Sequence, residues 1–109
     1  MSNILIKAGK DDLLNKILIL YYEKGNNWVN LYRILELFEE MNIDVVKRKW
    51  ISKNEKRLLK HTANSPAVIG NEARHGKQKE IPPLEPMSLN IAQILVKKIV
   101  CYYVESLEI

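Results

Sequence analysis

Residues 28–41 read WVNLYRILELFEEM and carry a regular apolar pattern. The apolar side chains recur every three or four residues, at Trp28, Leu31, Ile34, Leu35, Phe38 and Met41. This period is typical of one face of an α-helix, and the charged residues fall largely off that face. Asn27 is a favourable N-cap, because its side chain can accept a backbone N–H of the first turn. The sequence therefore predicts an amphipathic helix over roughly residues 28–41.

An apolar segment, residues 13–22, precedes this helix. Asp11 and Asp12 suit a helix start, and Gly25 suits its end. The pattern favours a helix that is apolar on nearly all faces and therefore lies centrally or in an interface. The run ILILYY, residues 17–22, also allows a β-strand, because short apolar runs fit both structures.

Two helix-start motifs follow the central helix, after a break at residues 42–46. Ser52 and Glu55 match a capping box, which predicts a helix over about residues 53–63 with Leu58 and Leu59 facing inward. Ser65-Pro66 places proline at a first helical position. We expect a short helix from residue 66 to about 75, weakened by Gly70 and ended by Gly76.

Residues 77–87, KQKEIPPLEPM, contain three prolines and predict an extended loop. Ser88 then caps a last helix, whose apolar stripe is Ala92, Val96, Ile99, Val100, Tyr103 and Leu107. The sequence therefore predicts an all-α fold in one domain, residues 1–109. It consists of four main helices and one short helix, with the proline-rich loop before the last helix.

Composition excludes several classes of protein. A chain of 109 residues allows one small domain, and its single cysteine, Cys101, excludes an internal disulfide. Two histidines and one cysteine are too few for a closed zinc site, so we expect neither metal nor cofactor. No secretory signal and no apolar run long enough to span a membrane occur, so we expect a cytoplasmic protein without membrane contact. Walker, GxGxxG, HExxH and GxSxG motifs are absent from the sequence.

Charge is concentrated in residues 45–79, which hold ten bases and two acids, a net charge of +8. The rest of the chain has a net charge of −4. Such a block can attract nucleic acid, although a solvated helix face has the same composition. The candidate nucleic-acid contacts are Lys47, Arg48, Lys49, Lys53, Lys56, Arg57, Lys60, Asn64, Asn71 and Arg74.

Two histidines are candidates for proton transfer. Arg74-His75-Gly76 places a permanent cation beside a group that titrates near neutrality, which suits phosphate binding and acid–base chemistry. The alternative is a helix C-terminus, where both side chains offset the helix dipole. Arg57 and His61 lie one helical turn apart and could together hold a phosphodiester. The alternative is a basic helix face with His61 packed against the loop.

The two tryptophans are candidates for stacking on bases. Trp28 lies on the apolar stripe of residues 28–41, so we expect it in the core. Trp50 follows Lys47-Arg48-Lys49 and is the better binding candidate. The alternative, which we favour, is that Trp50 anchors the connection over residues 43–52.

Four short patterns resemble a known group of proteins: Trp28-x-x-Leu31-Tyr32-x-Ile34, His61-Thr62-Ala63-Asn64, Asn71-x-x-Arg74-His75-Gly76 and Pro86-Met87-Ser88-Leu89. Together they resemble bacterial helical proteins similar to the HEPN superfamily, over roughly residues 28–104. The resemblance implies a four-helix bundle, often a homodimer, from abortive-infection or phage-defence, toxin–antitoxin or mobile-element settings. Active members cleave RNA without a metal, and others only bind RNA or a protein partner.

The superfamily's active motif joins an arginine, a polar residue and a histidine across four to six intervening residues. This chain departs from that spacing: three residues separate Arg57 from His61, and none separates Arg74 from His75. Three hypotheses follow. The protein is a HEPN-like module that binds RNA or another polyanion through residues 45–79. Alternatively, it is an interaction module that self-associates or docks a small protein through its first helix. The third hypothesis is a ribonuclease that uses His75 or His61.

Overall fold

The computed structural model describes residues 12–23, 26–73 and 81–107, and these residues form an all-α fold without strands. The α-helices are α1 (Asp12–Leu18), α2 (Trp28–Glu40), α3 (Lys53–Ala63), α4 (Pro66–Ile69) and α5 (Leu89–Ser106). The predicted arrangement of four main helices and one short helix is confirmed. None of the described helices is long and apolar enough to cross a membrane.

Helix α2 lies at the centre and contacts α1, α3 and α5. Its N-cap is Asn27, whose Oδ1 accepts the backbone N–H of Asn30 at 2.9 Å. The predicted apolar stripe is buried with one exception, and Trp28 lies in the core as predicted. Met41 is 58% exposed because it lies in the turn after α2, and Leu37 is buried instead.

The first apolar segment is helical, so the strand alternative for residues 17–22 is wrong. Helix α1 buries Leu13, Leu14 and Ile17, and the chain then continues into a wider π-helical turn, Ile19–Glu23. This turn leaves Ile19 43% and Tyr22 67% exposed, so apolar surface remains on the first helix. The predicted start and stop signals at Asp11 and Gly25 lie outside the described residues.

Helix α3 has the predicted bounds, and both bonds of the capping box form. Ser52 Oγ accepts the N–H of Glu55 at 3.0 Å, and Glu55 Oε1 accepts the N–H of Ser52 at 2.8 Å. Leu59 is fully buried and Leu58 is half-buried against the core. The inward face of α3 is thereby fixed.

The short helix ends earlier than the sequence predicts, because α4 stops at Ile69 instead of near residue 75. Gly70 has φ +64° and ψ −132°, a conformation that favours glycine and interrupts the helix. A 3₁₀ turn, Gly70–Glu72, follows, and Glu72 Oε1 accepts the N–H of Trp28 at 3.0 Å. This turn is thereby tied to the N-terminus of α2, while Gly76 lies outside the described residues.

The described part of the proline-rich loop, residues 81–87, is irregular, as predicted. Thr62 is fully buried, and its Oγ1 accepts the N–H of Met87 at 3.0 Å. Ser88 caps α5 by accepting the N–H of Ile91 at 3.2 Å. The predicted stripe of α5 faces the core, joined by Leu95.

Candidate nucleic-acid interface

One face of α3 carries four of the predicted cations, Lys53, Lys56, Arg57 and Lys60. At ~100° per residue, these positions fall within roughly 100° of arc around the helix. The opposite side of α3 presents Leu59 and Thr62, both 0% exposed, to the core. The local fold therefore gathers these side chains on one outward face.

Lys60 differs from the other three cations because it is already paired. Its Nζ lies 2.9 Å from Glu39 Oε1 and 3.1 Å from Glu39 Oε2, and it also lies 5.8 Å from the ring centre of Tyr32. Glu39 and Tyr32 belong to α2, so Lys60 joins α3 to α2. A phosphate would have to compete with the Glu39 carboxylate for this ammonium group.

The remaining cations of α3, Lys53, Lys56 and Arg57, form no ion pair within the described part of the chain. Arg57 donates one hydrogen bond, to Asn54 Oδ1 at 2.8 Å. Because a guanidinium has five N–H donors, that bond leaves Arg57 able to bind an anion.

The turn before α3 presents three more cations, Lys47, Arg48 and Lys49, all exposed. Asp44 organises this turn, since its Oδ1 accepts the N–H groups of Val46 and Lys47, each at 3.0 Å. The hydrogen bond from Lys47 is the main cause that lowers the pKa of Asp44. Burial opposes this shift, and the N–H of Val46 and the charges of Lys56 and Lys47 add to the lowering.

Lys49 has φ +62°, in the left-handed region, so the chain reverses there before α3 begins. The basic surface consists of Lys47, Arg48, Lys49, Lys53, Lys56 and Arg57. It contains six of the ten predicted nucleic-acid contacts.

An aromatic cluster borders the basic surface. Trp50 is only 8% exposed, which confirms the prediction that it anchors the connection before α3. Its ring meets Phe38 and Tyr103 at steep angles, with centroid distances of 6.2 Å and 6.4 Å. It also stacks nearly parallel to Tyr102, with an interplanar angle of 18° and a centroid distance of 6.4 Å.

Cations lie over both rings of the stacked pair. The guanidinium of Arg48 lies 5.3 Å from the Trp50 ring centre, and Lys98 Nζ lies 5.9 Å from the Tyr102 ring centre. Neither Lys98 nor Tyr102, both on α5, is among the site residues predicted from the sequence. Their spacing of four residues, which places two helical side chains together, was the signal available for finding them.

His61, one of the catalytic candidates, contacts the proline-rich loop. Its Nε2 lies 2.6 Å from the carbonyl oxygen of Ile81, and this contact requires the proton on Nε2. With the bond from Thr62 to Met87, it fastens the loop to α3. This arrangement supports the alternative in which His61 packs against the loop.

The remaining predicted residues are dispersed or lie outside the described chain. Asn64 ends α3, and its Oδ1 is buried and accepts no hydrogen bond within the described structure. Asn71 is exposed in the 3₁₀ turn. Arg74 and His75 lie outside the described residues, so their assignment to phosphate binding or catalysis stays a prediction.

Comparison of the chain with protein-family models, with curated proteins and with solved structures gives no match. Within the described residues, no group of three or more His, Cys, Asp or Glu side chains could hold a metal ion. Function is therefore inferred from the surface chemistry of the chain.

Proposed function

We propose that the protein is a helical module that binds RNA through its basic surface. One observation carries this proposal: six cations lie within eleven residues of chain, and in the described structure none of them has a carboxylate within ion-pair distance, although the charge of Asp44 acts on Lys47 and Lys56 from farther away. Unpaired cations grouped in this way attract a polyanion, because each can bind one phosphate and release its counterions. The relation to the HEPN superfamily stays a prediction.

The fold supports such binding without adding sequence specificity. Three of the cations belong to α3, whose position is fixed by the capping box and the buried Leu59, and three belong to the turn that Asp44 organises. Contacts of this kind set affinity and register but do not distinguish bases. We therefore expect the basic surface to bind many RNA sequences with similar affinity.

Charge reversal at the basic surface tests the proposal. The double variant Lys53→Glu/Arg57→Glu removes two phosphate contacts, and we expect it to abolish most binding of a fluorescein-labelled 12-nucleotide RNA in an anisotropy titration. The single variants Lys53→Glu and Lys16→Glu supply the matched comparison, because each reverses the charge of one exposed lysine and Lys16, on α1, lies outside the basic surface. An equal loss of RNA binding in both single variants, or unchanged RNA binding in both, would contradict the proposal.

A second candidate function, self-association, is favoured by an apolar groove. The groove has a volume of about 240 Å³ and lies between the π-helical turn and α5, with an apolar lining of Leu18, Tyr21, Tyr22, Val100, Cys101 and Val104. Burial raises the pKa of Tyr21, with further increases from Tyr22 and Cys101, so its phenol is neutral at physiological pH.

The rim of this groove carries opposite charges, Lys97 and Glu105, which suits pairing with a second copy of the chain. In a two-fold interface the same patch faces itself, so Lys97 of one copy can pair with Glu105 of the other. We propose that the homodimer forms here, through the apolar end of the first helical segment.

A further inference from the structure

The cluster of Trp50, Tyr102, Arg48 and Lys98 resembles neither an ordinary core nor an ordinary charged surface. Trp50 is held on one side by Phe38 and Tyr103, whose rings meet each other at 81° with centroids 5.3 Å apart. All three residues are at least 92% buried, so the packing around Trp50 fixes the orientation of its ring. The ring of Tyr102 lies nearly parallel to the Trp50 ring, and Tyr102 is 39% exposed.

This arrangement fixes the orientation of an exposed aromatic ring. A tyrosine has two side-chain torsions, and stacking against the immobile Trp50 restricts both of them. The free part of the Tyr102 ring is therefore preorganised and needs little ordering before a flat ligand stacks on it.

The charges around the cluster favour an anionic ligand. Arg48 and Lys98 lie over the two rings, and Lys49 and Lys98 line a shallow cleft of about 300 Å³ beside Trp50. In the described structure, no carboxylate forms an ion pair with Arg48, Lys49 or Lys98. Glu55 also lines the cleft, but its carboxylate already accepts the N–H of Ser52.

We propose that Tyr102 stacks on one unpaired base of a single-stranded RNA, while Arg48 and Lys98 bind the neighbouring phosphates. The inference rests on the proposed RNA binding and deepens it, because Arg48 also belongs to the basic surface. An unpaired base offers an open π-face to an aromatic side chain, whereas a duplex keeps its bases stacked on one another. Lys98 has a long flexible stem, so its ammonium can leave the Tyr102 ring for a phosphate when a base arrives.

The test compares two tyrosine variants on two RNAs, a labelled 12-nucleotide single strand and the corresponding 12-base-pair duplex. We expect Tyr102→Leu to weaken single-strand binding about 5- to 150-fold, the range for losing one stacked base, and to leave duplex binding unchanged. Tyr102→Phe keeps the aromatic ring and should bind both RNAs as the wild type does. Ile94→Ala is the control and should leave the binding of both RNAs unchanged, because Ile94 is also exposed on α5, at 54%, but lies outside the aromatic cluster and the groove lining.

The outcomes separate this inference from the proposed function. Circular dichroism and tryptophan fluorescence first establish that Tyr102→Leu retains the fold. Unchanged single-strand binding by this folded variant would overturn the stacking site, as would an equal loss on both RNAs, while RNA binding itself would stand. Failure of the wild type to bind either RNA at low salt would overturn both proposals.

Discussion

Lys53 and Lys60 have the same charge and lie on the same face of α3, but their surroundings differ. Lys60 is paired with Glu39 at 2.9 Å, whereas no described carboxylate pairs with Lys53. A lysine that already has an anionic partner gains less from a phosphate. The sequence therefore shows that a lysine is present, but it does not show whether the ammonium group is available to bind a phosphate.

We predict that Lys53→Ala weakens RNA binding several-fold and reduces the log–log salt slope by about 0.7, as expected for one lost phosphate contact on a single strand. Lys60→Ala should have a smaller effect on both quantities, because its ammonium is shared with Glu39. Parallel anisotropy titrations at several salt concentrations measure both. A larger loss for Lys60→Ala than for Lys53→Ala would show that the pairing with Glu39 does not limit this lysine.

Thr62 illustrates a residue whose importance is structural. Replacing it with valine keeps the shape but leaves the buried N–H of Met87 without an acceptor, which costs about 1–3 kcal/mol in the free energy of unfolding. Urea denaturation measures the loss, and amide exchange locates it. Exchange at Met87 should accelerate in Thr62→Val but not in Thr62→Ser, which keeps the hydroxyl; equal exchange in both variants would rule out the hydroxyl as the acceptor.

At the level of elements, helix starts were predictable from the sequence because their causes are local. Asn27, Ser52 and Ser88 each cap the helix that follows, and α3 has its predicted bounds. The end of α4 was misplaced because the conformation of Gly70 depends on how the chain turns back to α2. The pairing of Tyr102 with Trp50 was missed because it joins residues fifty-two positions apart in sequence.

The turn at Gly70 gives a prediction for an element boundary. Alanine at this position would meet no atom within 4 Å of its Cβ, so any cost comes from the backbone conformation alone. We predict that Gly70→Ala lowers the free energy of unfolding by about 1–3 kcal/mol. Asn71→Ala is the control and should stay within about 0.5 kcal/mol of the wild type, as surface substitutions do. Equal stability of both variants in urea would show that the glycine is not required.

For the molecule as a whole, the apolar groove predicts self-association. Tyr22→Asp places a charge in the groove, and we expect it to convert a dimer to a monomer in sedimentation equilibrium at micromolar concentrations. Val29→Asp is the control, because Val29 is similarly exposed, at 53%, but lies on α2 away from the groove lining. A wild type that stays monomeric at high micromolar concentration, or a dimer that survives Tyr22→Asp, would contradict the proposed interface.

A salt titration tests whether the basic surface binds the phosphate backbone of RNA, because such contacts weaken as salt rises. The affinity of the wild-type protein for a 12-nucleotide single-stranded RNA is measured by anisotropy from low to physiological salt. Because only some of the six cations can reach one strand at the same time, we expect four or five phosphate contacts, which predict a log–log slope of about −3 to −4. Absence of binding at low salt, or an affinity that does not change with salt, would contradict the claim and leave the basic surface as a solvated face.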